Sequence, residues 1–153
     1  MPEWISRFKF SGDIRLRAEN INYSGNNPEF AFFDYQETNN DGSLQPLNVT
    51  NDRFRLRERV RLGIDAKIAS NLKAGLRLTT GSLDDPVSTN QTLGKSYNRF
   101  EIGLDRAYLQ YSGYDLDGKR WLKLSGGRFR NPFFSTNLVW DKDVAFDGVA
   151  ATF

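Results

Sequence analysis

The chain has 153 residues, 21 basic and 19 acidic side chains for a net charge of +2, and neither Cys nor His. That length suits one ordinary domain, and the near-balanced charge gives little bulk attraction for nucleic acid. Without Cys there is no disulfide framework and no thiolate metal site, and without His the usual general base and the commonest zinc ligand are missing.

Catalysis would have to come from carboxylates, Lys or Tyr alone, so neither an enzyme nor a cofactor or metal is expected. No stretch approaches the ~18 consecutive apolar residues of a membrane-crossing helix. Met1-Pro2-Glu3-Trp4 has no basic start or apolar run, which for an exported protein implies a mature or trimmed chain. Mean hydropathy is negative. Barrels share that trait, because half of each strand is polar.

The first predicted strand covers 7–20. Phe8, Phe10, Gly12, Ile14, Leu16 and Ala18 fall on one face, and Lys9, Ser11, Asp13, Arg15, Arg17 and Glu19 on the other. A long polar loop follows over 23–51, with Gly25-Asn26-Asn27-Pro28 and Asn39-Asn40-Asp41-Gly42 as turn signatures. So long an aperiodic segment is unusual inside a compact soluble domain and ordinary for an external barrel loop. Strands two and three, 53–69 and 72–82, are the most regular. Phe54, Leu56, Val60, Leu62, Ile64, Ala66 and Ile68 alternate with Arg55, Arg57, Arg59, Arg61, Gly63, Asp65 and Lys67. After Ser70-Asn71, Leu72, Ala74, Leu76 and Leu78 alternate with Lys73, Gly75, Arg77 and Thr79, which makes a β-hairpin.

A loop over 82–98 carries Asp84-Asp85-Pro86. Strand four, 99–111, places Phe100, Ile102 and Leu104 on one face and then Ala107, Leu109 and Tyr111 with opposite parity. The slip at Asp105-Arg106 predicts a β-bulge. A turn over 112–119 precedes strand five, 120–130. A loop with Pro132, Phe133, Phe134 and Trp140 leads to strand six, 144–153. The connections run long, short, long, medium, long, so both ends of the meander fall on the short-turn, periplasmic side of a barrel.

The predicted fold is therefore all-β: an antiparallel up-and-down meander of about six long strands, part of a transmembrane β-barrel, greasy outside and charged inside. Glu58 is the charged intruder on the apolar face. Ten residues before Ile68, it lies roughly 23 Å higher at ~3.3 Å per residue and ~45° tilt, near the rim of a ~25 Å apolar band. The pore-lining candidates are Arg15, Arg17, Arg53, Arg55, Arg57, Arg59, Arg61, Lys73 and Arg77, since clustered Arg favours anions and organises water in a pore. The blander reading is a solvated face with cross-strand partners Asp13, Glu19, Asp65 and Glu101.

Phe8, Phe10, Tyr108, Tyr111, Trp121 and Phe153 are candidates for interfacial girdles, or simply good strand formers. Asp115-Leu116-Asp117-Gly118 reads as a turn rather than a calcium loop, lacking the third acid and the distal Glu. Asp84-Asp85 sits on a Pro-containing loop where neighbouring acids point apart, a poor hydrolytic pair. Asn22, Asn48 and Asn90 open N-x-S/T triplets, which a bacterial origin would make meaningless.

The segment Trp4…Arg7-Phe8-Lys9-Phe10-Ser11-Gly12-Asp13-Ile14-Arg15-Leu16-Arg17-Ala18-Glu19 resembles the first strand of the bacterial outer-membrane "putative porin" family. Asp52-Arg53-Phe54-Arg55-Leu56-Arg57, Ala107-Tyr108-Leu109-Gln110-Tyr111 and Gly127-Arg128-Phe129-Arg130-Asn131-Pro132-Phe133, followed by Trp140-Asp141 and Asp147-Gly148-Val149, are similar to its later strands. The resemblance spans nearly the whole chain. It implies an outer-membrane barrel for passive diffusion of small hydrophilic solutes or anions, in contact with membrane lipid or detergent and compatible with a homo-oligomer.

Family members also tend to carry a periplasmic coiled coil before the Trp4-like position and to continue past the last residue here. Six strands are too few for a closed barrel, which starts at about eight. The expectation is therefore an N-terminal piece of a larger porin, with the final Phe153 a strand-terminal Phe by chance in a chain of twelve.

Two other classes share the alternation. A soluble β-barrel or β-sandwich binding a ligand is the alternative, although its buried face would hold larger residues than Gly12, Ala18, Ala66, Ala74 and Gly126. A nucleic-acid-binding barrel would put aromatics beside the Arg stripe, whereas here they share the opposite face.

Overall fold

The computed structural model describes residues 3–153 except 31, 86, 95, 96, 137, 141 and 142. A short 3-10 turn, Glu3–Arg7, leads into β1 (Phe8–Ile21); α1 is Tyr35–Asp41; then come β2 (Arg53–Lys67), β3 (Leu72–Thr80), β4 (Gln91–Thr92), β5 (Ile102–Tyr114), β6 (Arg120–Arg130) and β7 (Ala145–Thr152). The strands form one sheet in the order β1-β2-β3-β5-β6-β7, with β4 pairing β2 off that path. The pairs β2–β3, β3–β5, β5–β6 and β6–β7 are antiparallel. This is the meander the alternation predicts, and it is open, with β1 and β7 as its edges.

Every long strand starts and stops within three residues of its predicted bounds. Two differences stand out. A seventh, two-residue strand, β4, lies in the segment read as loop. β3 stops at Thr80, so β4 takes up a stretch of β2 edge that β3 does not reach, where open backbone groups need partners. The other is α1, in the first long loop, whose seven residues are too few and too polar to show a helical period.

By internal contacts the chain divides into two units, residues 1–16 with 58–153, and residues 17–57. The smaller unit holds α1 and an isolated bridge, Phe33 with Pro46. Its loop is tied by hydrogen bonds from Tyr23 N to Asp52 Oδ1 (2.8 Å) and from Asn27 Nδ2 to the Val49 carbonyl (2.7 Å). At the end of α1, the Ser43 hydroxyl and the Gln45 amide both donate to Asp41, holding its carboxyl below the ordinary value.

The larger unit carries the register that matters. Residues directly opposite across strands share a face. The rows Leu62–Leu78–Leu104, Ile64–Leu76–Ala107 and Ala66–Ala74–Leu109 thus form one aliphatic surface, and Gly63–Arg77–Arg106, Asp65–Gly75–Tyr108 and Lys67–Lys73–Gln110 form the opposite, polar one. The register shifts between Arg77 and Leu78, leaving Asp105 without an opposite number: the bulge predicted at Asp105-Arg106. A second shift beside Gly113 leaves Trp121 as the extra residue in β6, without a signal in the alternation.

The connection after β5 is the turn its residues predict. Asp115 Oδ1 accepts from Asp117 N (3.1 Å) and Lys119 N (2.7 Å), and Gly118 supplies the positive φ of 75°. In the loop before β4, Asp85 Oδ1 caps Val87 N and Ser88 N.

Burial runs backwards from that of a soluble domain. Among the described residues the one buried apolar side chain is Phe129 (6% exposed), while Arg59 (9%), Asp105 (8%), Thr80, Ser112 and Ser125 are buried. Leu62 is 61% exposed, and Ile14, Leu16, Ile64, Leu76, Leu78, Leu104 and Leu109 are exposed with it.

Of the girdle candidates, Phe8 and Phe10 open β1, Tyr111 lies near the end of β5, Trp121 near the start of β6 and Phe153 just past β7. All five are exposed, as are Trp4, edge-on to Phe8 at 6.1 Å, and Tyr114. Tyr108 does not belong with them. It stands on the polar face, half-buried, and its hydroxyl donates to Asp65 Oδ1 at 3.2 Å. Its ring lies over Gly75, where a Cβ would come within 2.5 Å of it.

Gly75→Ala should therefore swing the ring away and lose that hydrogen bond, costing about 1 kcal/mol. Tyr108→Phe should cost a similar amount, and the double variant little more, because both act on one contact. Urea unfolding of the three variants in lipid vesicles measures this; strictly additive losses would show that the ring and Asp65 are not coupled.

Candidate functional site

The polar face is the candidate site, and period two explains its composition. In β2 the odd positions carry Arg55, Arg57, Arg59 and Arg61, which therefore project to one side at successive two-residue steps. Guanidiniums so close together on this face, there and on β3 and β5, require counter-charge, and in the larger unit the fold supplies it from three different places.

The first is β1. In the larger unit Asp13 lies between two arginines: Oδ2 accepts from Arg59 Nη2 (2.6 Å) and Nε (3.0 Å), and Oδ1 from Arg61 Nε (2.6 Å). The second is the loop before β7. Asp143 Oδ1 accepts from Arg61 Nη1 at 3.0 Å, and its Oδ2 stands 3.7 Å from Arg59 Nη1. Asp143 follows β6, yet it meets β2, three places away in the sheet order. Two arginines and two carboxylates make a quartet with no net charge.

The third source is the β5 bulge. Arg77 and Arg106 are directly opposite one another, and Asp105 pairs with Arg77 Nε and lies 3.8 Å from Arg106 Nε. The bulge turns this carboxylate toward both cations. Arg128 Nε donates to the Asp105 carbonyl (3.0 Å), satisfying the oxygen the bulge frees. Nearer the β2–β3 turn, Lys73 Nζ is 3.3 Å from Asp65 and 5.6 Å from the centre of the Tyr108 ring. Arg15 donates to Asn90 Oδ1, in the segment just before β4. In the smaller unit Glu19 pairs with Arg17 and Arg55 and stands 3.8 Å from Arg57.

Of the predicted partners, Asp13, Glu19 and Asp65 pair with the arginines and Lys73. Glu101 makes no such pair among the described residues; it accepts the backbone N–H of Leu83 at 3.3 Å. Asp105 and Asp143 were not legible as partners. Of the nine pore-lining candidates, Arg59, Arg61, Lys73 and Arg77 stand on the polar face of the larger unit with acids between them, and Arg15 meets Asn90. Arg17, Arg55 and Arg57 gather round Glu19 in the smaller unit, and Arg53 is exposed at the start of β2 with no ion pair among the described residues. The arrangement suits a hydrated, electrically structured wall; no described group of His, Cys, Asp or Glu is placed to hold a metal ion.

A search of curated proteins returned no match. The family model described as "Putative porin" matches residues 1–153.

Proposed function

We propose that this chain, which belongs to the "Putative porin" family, lines a water-filled transmembrane β-barrel of the bacterial outer membrane through which small hydrophilic solutes diffuse passively. The family assigns a porin-like, transport role in general. The observation that supports the finer reading is the inverted burial: a continuous aliphatic face lies open while the charged Arg59 and Asp105 are buried. In water such a surface would drive association; in a bilayer it is what a barrel presents to lipid or detergent.

Arg15, Arg17, Arg53, Arg55, Arg57, Arg59, Arg61, Lys73 and Arg77 then face the lumen. Their field is tempered by Glu19, Asp13, Asp65, Asp105 and Asp143, and salt screens an aqueous lumen over ~8 Å at physiological strength. Anion preference is accordingly mild. Arg stays protonated at working pH, so the preference does not titrate away.

The test is the reversal potential in a planar bilayer under a salt gradient, before and after Arg57, Arg59 and Arg61 are changed to Gln. A modest anion preference that falls in the variant is expected. An unchanged ratio would remove these three arginines from selectivity, and absence of conductance would sink the channel reading.

A further inference from the structure

The quartet around Asp13 is neutral, but another part of the polar face is not. Between β5, β6 and the loop after β6 lies a cleft of about 280 Å³ whose lining includes Arg106, Lys123 and Arg130 and no carboxylate. The acids that touch its lining are engaged elsewhere: Asp105, 3.8 Å from Arg106 Nε, is held by Arg77, and Asp65, which accepts from the Tyr108 hydroxyl, faces Lys73. Two donors of the lining, Arg106 Nε and Asn131 Nδ2, are buried and make no hydrogen bond among the described residues. Buried donors without acceptors are costly and need explanation, and three cations that have only a share of Asp105 to offset them add repulsion. Phe129, the buried apolar side chain of the sheet, and Pro132 supply an apolar wall beside these charges.

We propose that this cleft is a binding site for a small organic carboxylate. The carboxylate oxygens accept from the guanidinium of Arg106 and the Asn131 amide, with Lys123 and Arg130 supplying further charge. A guanidinium matches the two oxygens of a carboxylate better than any neutral group. The apolar body of the ligand lies against Phe129 and Pro132, a division typical of small-molecule sites. The inference rests on the lumen reading of this face and adds a solute class to it: organic anions pause here during passage.

The experiment is calorimetric titration of the detergent-solubilised protein with benzoate, with its neutral counterpart benzyl alcohol and with inorganic phosphate. Benzoate should bind, benzyl alcohol should not, and phosphate should bind more weakly because it leaves the apolar wall unused. The variant Lys123→Gln/Arg130→Gln leaves the Asp105 pairs intact and should weaken benzoate about tenfold or more. No benzoate binding, equal binding of benzyl alcohol, phosphate binding as tight as benzoate, or an unchanged affinity in the double variant would each overturn the proposal. Conductance of the same protein in a planar bilayer separates the two readings: conductance without benzoate binding sinks the site alone, and benzoate binding without conductance sinks the channel alone.

Discussion

Asp105→Asn should be the most damaging conservative change on the polar face, costing about 3 kcal/mol of stability. The carboxylate is 8% exposed and serves two arginines that sit directly opposite each other across β3 and β5. Asparagine keeps the size and an acceptor oxygen but removes the charge, so Arg77 and Arg106 repel across the ladder with nothing between them. Two side effects are small by comparison. The bulge is made by the backbone and survives, and Arg128 still reaches the carbonyl of residue 105.

Urea midpoints in lipid vesicles measure the loss. Adding Arg77→Gln should recover roughly half of it, since an uncompensated charge is then gone. Raising salt to ~1 M, where screening acts over ~3 Å, should also shrink the penalty. A variant within ~0.5 kcal/mol of the parent would mean that lumen water already hydrates both guanidiniums, and that this acid is dispensable.

That prediction could not have been made from the sequence, although the bulge could. The alternation Phe100, Ile102, Leu104 and then Ala107, Leu109, Tyr111 marks the slip to within a residue. Yet a residue at a slip belongs to neither parity, so the facing direction of Asp105 was undetermined. Asp143 was hidden for a different reason. It sits in an aperiodic loop, 82 positions from Arg61, where no periodicity could pair the two.

Asp13, Glu19 and Asp65 were legible because they lie in regular strands on the same parity as the arginines. Glu101 has that look too, but it precedes the first residue of β5 and turns to the Leu83 backbone instead. Tyr108 was misplaced by composition: an aromatic near the short-turn end suggests a girdle, while its parity, opposite to Leu109 and Tyr111, already set it with Arg106 and Gln110. Strand periodicity thus reports faces faithfully and reports pairings only between regular strands. The charge balance of this wall is decided at its irregular places.

The aliphatic face carries the other large effect. Leu62 lies six residues from Ile68, at the β2–β3 turn. At ~3.3 Å per residue and ~45° tilt this is about 14 Å, near the middle of a ~25 Å apolar band. Its row continues through Leu78 and Leu104, and all three are exposed. Leu62→Arg should cost about 2–4 kcal/mol in a bilayer, the depth-dependent penalty of a charge on a lipid-facing strand. Leu62→Ala, by contrast, should cost only about 1–2 kcal/mol, because lipid tails fill the space and no cavity remains.

A soluble sandwich reverses that contrast. There Leu62 would pack against a second sheet, and Leu62→Ala would leave a void worth about 2–5 kcal/mol. Spin labels decide between the two without relying on energies. Labels at Leu62 and Leu76 should be reached by oxygen, which concentrates in hydrocarbon, and labels at Arg61 and Arg77 by a water-soluble paramagnetic reagent. Those four sites alternate across two paired strands, with Leu62 opposite Leu78, Gly63 opposite Arg77 and Ile64 opposite Leu76. A tilt or slip of the sheet would shift them together rather than invert one pair. Water access at Leu62 with hydrocarbon access at Arg61 would turn the wall inside out and leave a soluble module in place of a porin.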